Sequence, residues 1–505
     1  VDIEISGQGL SIGDVERIAR GGARVSLSAE ARANVEAGWA HLKEIVAEGR
    51  PVYGLTTGFG ALDGERIPVE LNRQQQRCLI KSHAAGMGPP MPVDATRAMM
   101  AIRLNVLASG LCGVDPAALD CLAGMLNAGL TPHVPVRGSV GACGDLAPLA
   151  HMVLPMLGLG RARIGDGPWM DGPWIDGAEA MRKAGLDLPA IEGRDGIALI
   201  NGTEQTTGIG VLAIHDARAL VATAEEVAAL SLEALSAVAD SFDERTALWK
   251  GHPGQIATSE NLRRLTADSA SVLPPRPSRL RDALSLRCIP QVLGAARDAV
   301  ERVAQVIETE INAANDNPLF GLADGFVTSN SGNFHGQAAG EALDQLATAM
   351  ISVAVMSERR AARLVDPHHN GGLPAFLIHP DGVAGRDHGF MIAQYTAASL
   401  VAEMRMQAIP ASVQSIPTCA NTEDHVPMSP LAARRAAELV ARAQDVVSIE
   451  ALLAAQGLDL RAQKPAPALQ HLYGAVREAV PMMVEDRPLG DDQAAVRAAL
   501  FALHR

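Results

Sequence analysis

The sequence predicts a mainly α-helical protein, with long helices forming a bundle in its second half and an irregular, loop-rich N-terminal part. Three observations predict it. Apolar residues recur at three- and four-residue spacing over 203–239, 291–313, 336–365, 386–409 and 430–456, the period of a helix with a buried face. Several of these runs exceed 20 residues, longer than one globular core usually asks of a helix, which suggests a bundle within the chain or between chains. Hydrophobic residues make up 48% of the chain but aromatics only 3%, so Ala, Leu and Val must supply the packing, as where helices approach closely.

The connections follow from the breakers. Stretches rich in Pro, Gly or Asn at 274–290, 314–333, 366–384 and 410–428 separate the long helices. In the first part, Gly54, Gly58, Gly60 and Gly64 make residues 51–65 a glycine-rich loop without the spacing of a nucleotide loop. The pattern turns helical from Leu71 to Ala85, and 94–128 reads as two helices broken near Gly110 to Gly113. Pro132, Pro135, Gly138, Gly141 and Gly144 predict irregular chain over 131–148. Residues 160–177, with Trp169 and Trp174 in similar Gly-Pro-Trp settings, read as a short β-hairpin or surface loop. The expected division is an N-terminal domain over 1–200, carrying the active-site loops, and a long-helix core domain over 201–505. There is no fixed-period repeat.

Composition excludes some function classes. Against 43 basic residues stand 57 acidic ones, a net charge of −14, which argues against nucleic acid as a partner and suits a protein handling small molecules. No run of about 18 uncharged apolar residues predicts a membrane span. The start of the chain has neither a basic segment nor an apolar one of the signal-peptide kind. Six cysteines without a C-x-x-C pair read as reduced thiols, and the expected location is the cytoplasm.

The chemistry concentrates in a few segments. One is Gly138-Ser139-Val140-Gly141-Ala142-Cys143-Gly144-Asp145-Leu146-Ala147-Pro148. Others are Tyr53-Gly54-Leu55-Thr56-Thr57-Gly58-Phe59-Gly60, Ser82-His83-Ala84-Ala85-Gly86, Leu199-Ile200-Asn201-Gly202-Thr203, Ser285-Leu286-Arg287-Cys288, Asn315-Asp316-Asn317-Pro318, Gly332-Asn333-Phe334-His335 and Asn421-Thr422-Glu423-Asp424-His425. Together, taken in chain order over residues 5 to 480, they resemble the aromatic amino acid (histidine/phenylalanine) ammonia-lyase family, and among its members the histidine ammonia-lyases most.

The resemblance implies an ammonia-lyase-like long-helix fold, a homotetramer, and sites built from three subunits. It also implies a β-elimination that breaks a Cα–N bond. That reaction must remove a weakly acidic β-proton, although a base strong enough would sooner take a proton from the α-ammonium. In the family an Ala-Ser-Gly triad cyclises to a methylidene-imidazolone electrophile that makes the amine a leaving group; here the matching residues are Ala142, Cys143 and Gly144. Tyr53 matches the catalytic tyrosine and would be the base, although a loop tyrosine taken alone is as well an interface residue. Arg287 would clamp the substrate carboxylate with its planar fork, its alternative being a structural ion pair. Asn201 would bind near the carboxylate and electrophile or be a plain turn asparagine. Phe334 would pack on the substrate or electrophile, or in the core. His83 and Glu423 match the positions that favour an imidazole ring; alone, they would read as a satisfied histidine and a capping carboxylate.

Three positions depart from the family. Cys143 stands where the triad has serine, Leu284 where the family has a tyrosine close to the reacting amine, and Arg281 where histidine ammonia-lyases have glutamine. A cysteine would lose hydrogen sulfide where serine loses water, and leucine cannot transfer a proton. The first two changes touch amine activation, while Tyr53, Arg287, His83 and Glu423 remain. A substrate whose nitrogen is already trimethylammonium makes sense of this pattern. It has no N–H to lose, leaves as neutral trimethylamine, and would find an apolar wall in Leu284. The favoured expectation is therefore an ergothionase-like lyase of a histidine betaine, with no cofactor and no metal. The alternatives are a histidine ammonia-lyase with a cysteine-derived methylidene-imidazolone, and a non-catalytic structural relative.

Overall fold

The computed structural model describes residues 2–165 and 172–504. The described residues form eighteen α-helices joined by loops and 3-10 turns, with strands of only two to four residues. The mainly α fold is thus as expected, and the long helices fall where periodicity placed them: Glu204–Ala234, Ile289–Glu310, Gln337–Val365, Met391–Met406 and Ser429–Leu460. No helix among the described residues is long and apolar enough to cross a membrane.

The chain divides into two compact units, each assembled from three stretches: 1–215, 303–344 and 410–434, and 216–302, 345–409 and 435–505. Four of the boundaries fall inside long helices, so compactness groups the residues differently from the contiguous division at residue 200.

The first unit is organised around the helix Val93–Ala108, whose residues from Ala95 to Ala108 are all buried. A helix buried on every side must be central, and the helix Ile12–Ala19 packs against it through Ile12, Val15 and Ile18. That helix starts at a reciprocal cap, Ser11 accepting from the Asp14 N–H and Asp14 from the Ser11 N–H. The helices Val93–Ala108 and Pro116–Asn127 are separated at the glycines, as expected. Asp115 caps the second, and Pro116 takes its first position, where a missing N–H costs nothing.

Small sheets clip the loops together. Arg161–Ile164 lies between Leu130–Pro132 and Ile175–Asp176, antiparallel to both. These are the arms of the expected hairpin; Trp169 lies outside the described residues. The stretch 131–148 is less irregular than expected. It contains the strand Pro135–Arg137 and the start of the helix Leu146–Val153, because Pro148 falls in the first turn, where a helix tolerates it.

The second unit is alanine-rich helix on helix, with Ala224, Ala228, Ala347, Ala354, Ala443 and Ala454 buried among leucines and valines. A fully buried pair, Arg360 to Glu450 at 2.5 and 2.8 Å, ties two of its helices, and Glu450 also accepts from Ser231 at 2.6 Å. Arg360 reaches the Ser285 carbonyl as well, at 3.4 Å. Asp282 accepts from the Val238 N–H (2.6 Å) and from Arg279 (2.8 Å). The short helix Leu284–Arg287 is thus held from beneath while Arg281, Leu284 and Arg287 face solvent.

Candidate active site

A cavity of about 420 Å³ opens in the first unit, lined by Tyr53, His83, Cys143, Asn201, Phe334 and Glu423. Six residues singled out from distant parts of the sequence therefore meet on one surface. The lining also includes Phe59, Asn317 and Cys419, which sequence reasoning did not select.

Tyr53 is placed by the helix Asn72–His83. Side-chain amides of that helix take the carbonyls of the glycine-rich loop: Asn72 to Leu55 at 3.1 Å, Gln75 to Thr57 at 2.8 Å and Gln76 to Gly54 at 2.9 Å. The loop thereby gains donors that its own irregular backbone lacks. It turns Tyr53 so that the hydroxyl oxygen accepts from the Gly60 N–H at 2.9 Å, and the ring meets Phe59 edge-on at 6.0 Å. Burial raises the Tyr53 pKa above a free phenol's, against the pull of the Gly60 N–H, and Cys143, Cys419 and Asp63 raise it further.

His83 ends the same helix. Its Nδ1 lies 2.9 Å from the Leu79 carbonyl, which requires the proton on that nitrogen and leaves Nε2 as an acceptor. Burial lowers its pKa, against the raising effects of the Leu79 carbonyl and Glu423, which favours the neutral ring. Glu423 closes a turn in which the Thr418 N–H meets its carbonyl at 2.9 Å and the Thr418 hydroxyl donates to its carboxylate. The cavity wall thus presents two acceptors, an imidazole nitrogen and a carboxylate.

The 142–144 segment is sharply folded. Gly141 bridges to Gly144 and Ala142 to Gly144, so the chain doubles back within three residues. Gly144 is left-handed at φ +66, and a Cβ there would lie 2.3 Å from the Gly202 carbonyl oxygen, so no larger residue fits. Asp145 fixes the turn, donating its N–H to that carbonyl at 2.5 Å and accepting from Ser139 and the Thr206 N–H, each at 2.8 Å. Burial pushes Asp145 up to about 6, although those two donors pull it down. Asn201 bridges the Cys143 carbonyl, to which it donates at 3.0 Å, and the Asn317 N–H, from which it accepts at 3.0 Å. Burial, and after it the neighbouring Glu423 carboxylate, drives the Cys143 pKa far above a free thiol's, so the group stays S–H.

A buried charge network underlies these loops. Arg103 pairs with Glu204 at 2.8 Å, and Arg194 grips Asp316 through two bonds of 2.7 Å, with all four side chains fully buried. Such pairs add little net stability but fix position, and stranding one partner costs roughly 3–5 kcal/mol. They fix the segments from which Asn201 and Asn317 reach the cavity.

The other predicted residues stand apart. Ala142 is buried behind the wall, at 3% exposure, and Gly144 forms the turn. Arg281, Leu284 and Arg287 belong to the second unit and do not line this cavity. Leu284 is 61% exposed, and the Arg287 side chain is exposed as well. Among the described residues, no arginine or lysine lines this cavity.

Known proteins share this sequence and fold. Residues 10–478 match the family model of aromatic amino acid lyases. A histidine ammonia-lyase of Symbiobacterium thermophilum is 45% identical over 96% of this chain and 94% of its own. The tyrosine aminomutase of Streptomyces globisporus superposes with a TM-score of 0.94 at 34% identity, covering 99% of this chain and 97% of the other. Ergothionase of Treponema denticola, an ergothioneine-degrading enzyme, superposes at 0.91 with 28% identity over 99% of both chains.

Proposed function

We propose, from the premise that the chain belongs to the aromatic amino acid lyase family and is a carbon–nitrogen lyase, that it releases trimethylamine from a histidine betaine such as ergothioneine. The observation that carries the choice of leaving group is the side chain at 284. It is leucine, exposed on a rigidly held helix, where the family resemblance asks for a proton-transferring tyrosine. With a trimethylammonium substrate no such group is needed. Tyr53 takes the β-proton, the C–H electrons form the Cα–Cβ double bond, and the C–N bond breaks to give a urocanate-type acid and neutral trimethylamine. The two acceptors at His83 and Glu423 support the same substrate, because the ring of ergothioneine carries two N–H donors and that of neutral histidine one.

The substrate also carries a carboxylate, and among the described residues no arginine or lysine of the same chain lines the cavity to meet it. We place Arg287 in that role, contributed with Leu284 and Arg281 by neighbouring copies in a homotetramer. An arriving guanidinium would also lower the proton affinity of Tyr53, which the single chain raises. Arg287→Lys is expected to raise KM by roughly 10-fold or more, because a point charge loses one of two charge-assisted bonds. Co-expressing it with a Tyr53→Phe chain should restore part of the activity through sites that draw both intact residues from different copies. Unchanged kinetic constants in Arg287→Lys would place the carboxylate elsewhere. The enzyme's setting would be the cytoplasm, whose reducing conditions suit six free cysteines.

A second reading, a histidine ammonia-lyase, is favoured by the doubled-back turn at 141–144, whose shape fits a cyclised Ala142-Cys143-Gly144, and by the 45% identity to such an enzyme. When formed, that group would supply an electrophile for an α-amine. Incubation with L-histidine, with its trimethyl betaine and with ergothioneine, measuring ammonia and trimethylamine separately, decides between the readings. The expected result is trimethylamine from the betaine and very little ammonia from histidine. Rapid ammonia release with both betaines inert would establish the second reading.

A further inference from the structure

We propose that Cys419 is a positioning residue for the elimination, its sulfur propping the Gly60 turn so that the Gly60 N–H stays on the Tyr53 hydroxyl. The inference rests on reading Tyr53 as the base. Gly60 is left-handed, at φ +54, and a Cβ built on it would meet the Cys419 sulfur at 2.7 Å, with no other described residue beyond its chain neighbours within 4 Å. Apart from its chain neighbours, the sulfur is therefore what backs that side of the Gly60 α-carbon among the described residues. On the same residue, one bond away, the Gly60 N–H makes the 2.9 Å bond to Tyr53.

The backbone that carries the sulfur is firmly held. Cys419, Ala420 and Asn421 are all left-handed, at φ +49, +51 and +67, a run that persists only inside an over-determined frame. The frame is closed by Asn421 N–H to the Thr418 carbonyl and Thr422 N–H to the Cys419 carbonyl, both at 3.0 Å, and by the Thr418–Glu423 bonds. The same short turn thus carries Glu423 to the cavity at one end and Cys419 to Gly60 at the other. A ring that engages Glu423 settles the turn that seats the base. Serine would not substitute, since its shorter bond and smaller oxygen leave Gly60 unsupported.

The consequence is a particular pH dependence. A backbone N–H on the phenolic oxygen favours the phenolate, whereas burial, Cys143, Cys419 and Asp63 oppose it; His83 and Glu423 line the same cavity. Losing the N–H must raise the proton affinity of Tyr53, and the acid limb of kcat/KM, which reports loss of the base, must move to higher pH.

The test uses the full-length enzyme with whichever of histidine or its betaine is turned over. Cys419→Ser is expected to lower kcat at neutral pH by roughly tenfold with KM within about twofold, and to move the acid limb up by about one pH unit. A purely structural loss would lower the whole profile without moving the limb, and would overturn the proposal. So would a shift to lower pH, which would mean that the thiol acts as a charge. A second measurement does not depend on how well the serine variant folds. Gly60→Ala should be more damaging in the wild-type background than beside Cys419→Ala, where the added methyl has room, and simple additivity of the two substitutions would refute direct contact. A Tyr53→Phe control separates the failures. If it remains active, the reading of the base is wrong; if it is inactive while the Cys419 variants behave as wild type, only this proposal falls.

Discussion

Replacing Tyr53 with phenylalanine is expected to lower kcat by roughly 10²–10⁴-fold, the usual cost of losing a positioned general base. Binding should change little. Phenylalanine keeps the edge-on contact with Phe59 and gives up only the Gly60 N–H bond. His83, Glu423 and Phe334 would still line the cavity. Single-turnover kinetics on the purified variant, with substrate affinity measured by calorimetry, checks both halves. Turnover within a few-fold of wild type would remove Tyr53 from the chemistry, and a collapse of affinity with kcat preserved would make it a binding residue.

The second large effect is expected from restoring two residues at once. Cys143→Ser with Leu284→Tyr should bring ammonia release from histidine up by at least about 10²-fold, the scale of a regained proton-transfer group. It should also cut trimethylamine release from the betaine. Leu284 is 61% exposed, so a tyrosine there needs no repacking within the chain. The new serine would sit in a turn already bent back from Gly144 to Gly141, with Asn201 on its carbonyl. Intact mass gives the independent check. The variant is expected to be lighter than its sequence by two waters if the triad cyclises, whereas the parent chain keeps its full mass. A variant that cyclises yet leaves histidine untouched would show that the substrate is set by the ring-binding wall and not by amine activation.

Much of this was legible in the sequence because the signals were local. The long helices announce themselves by period, and the break near Gly110 by its glycines. Tyr53, His83, Asn201, Phe334 and Glu423 could be selected because each lies in a recognisable segment, and they do meet. Cys419 could not be selected. It matters through one sulfur and one glycine α-carbon 359 positions apart in sequence, and a lone exposed cysteine carries no pattern. The helix Ile12–Ala19 was visible in principle from Ser11 and Asp14, three residues apart, but its run is too short for a persuasive period. The contiguous division at residue 200 follows composition, whereas compactness follows helices long enough to run through more than one cluster of contacts. Arg103, Arg194, Glu204 and Asp316 read as ordinary surface charges until burial shows them beneath the active-site loops.

The contact between the α-carbon of Gly144 and the carbonyl of Gly202 bears on how related sequences should be compared. Any side chain at 144 would strike that oxygen at 2.3 Å, whether or not the triad ever cyclises. Selection for a stable turn is therefore enough to preserve the glycine in a lineage that has abandoned the electrophile. A glycine at this place is explained by architecture alone and is by itself no sign that the electrophile is built. On the reading proposed above, the informative letter is the middle one, read together with the residue at 284: Cys143 and Leu284 both lack the hydroxyl that amine activation would use.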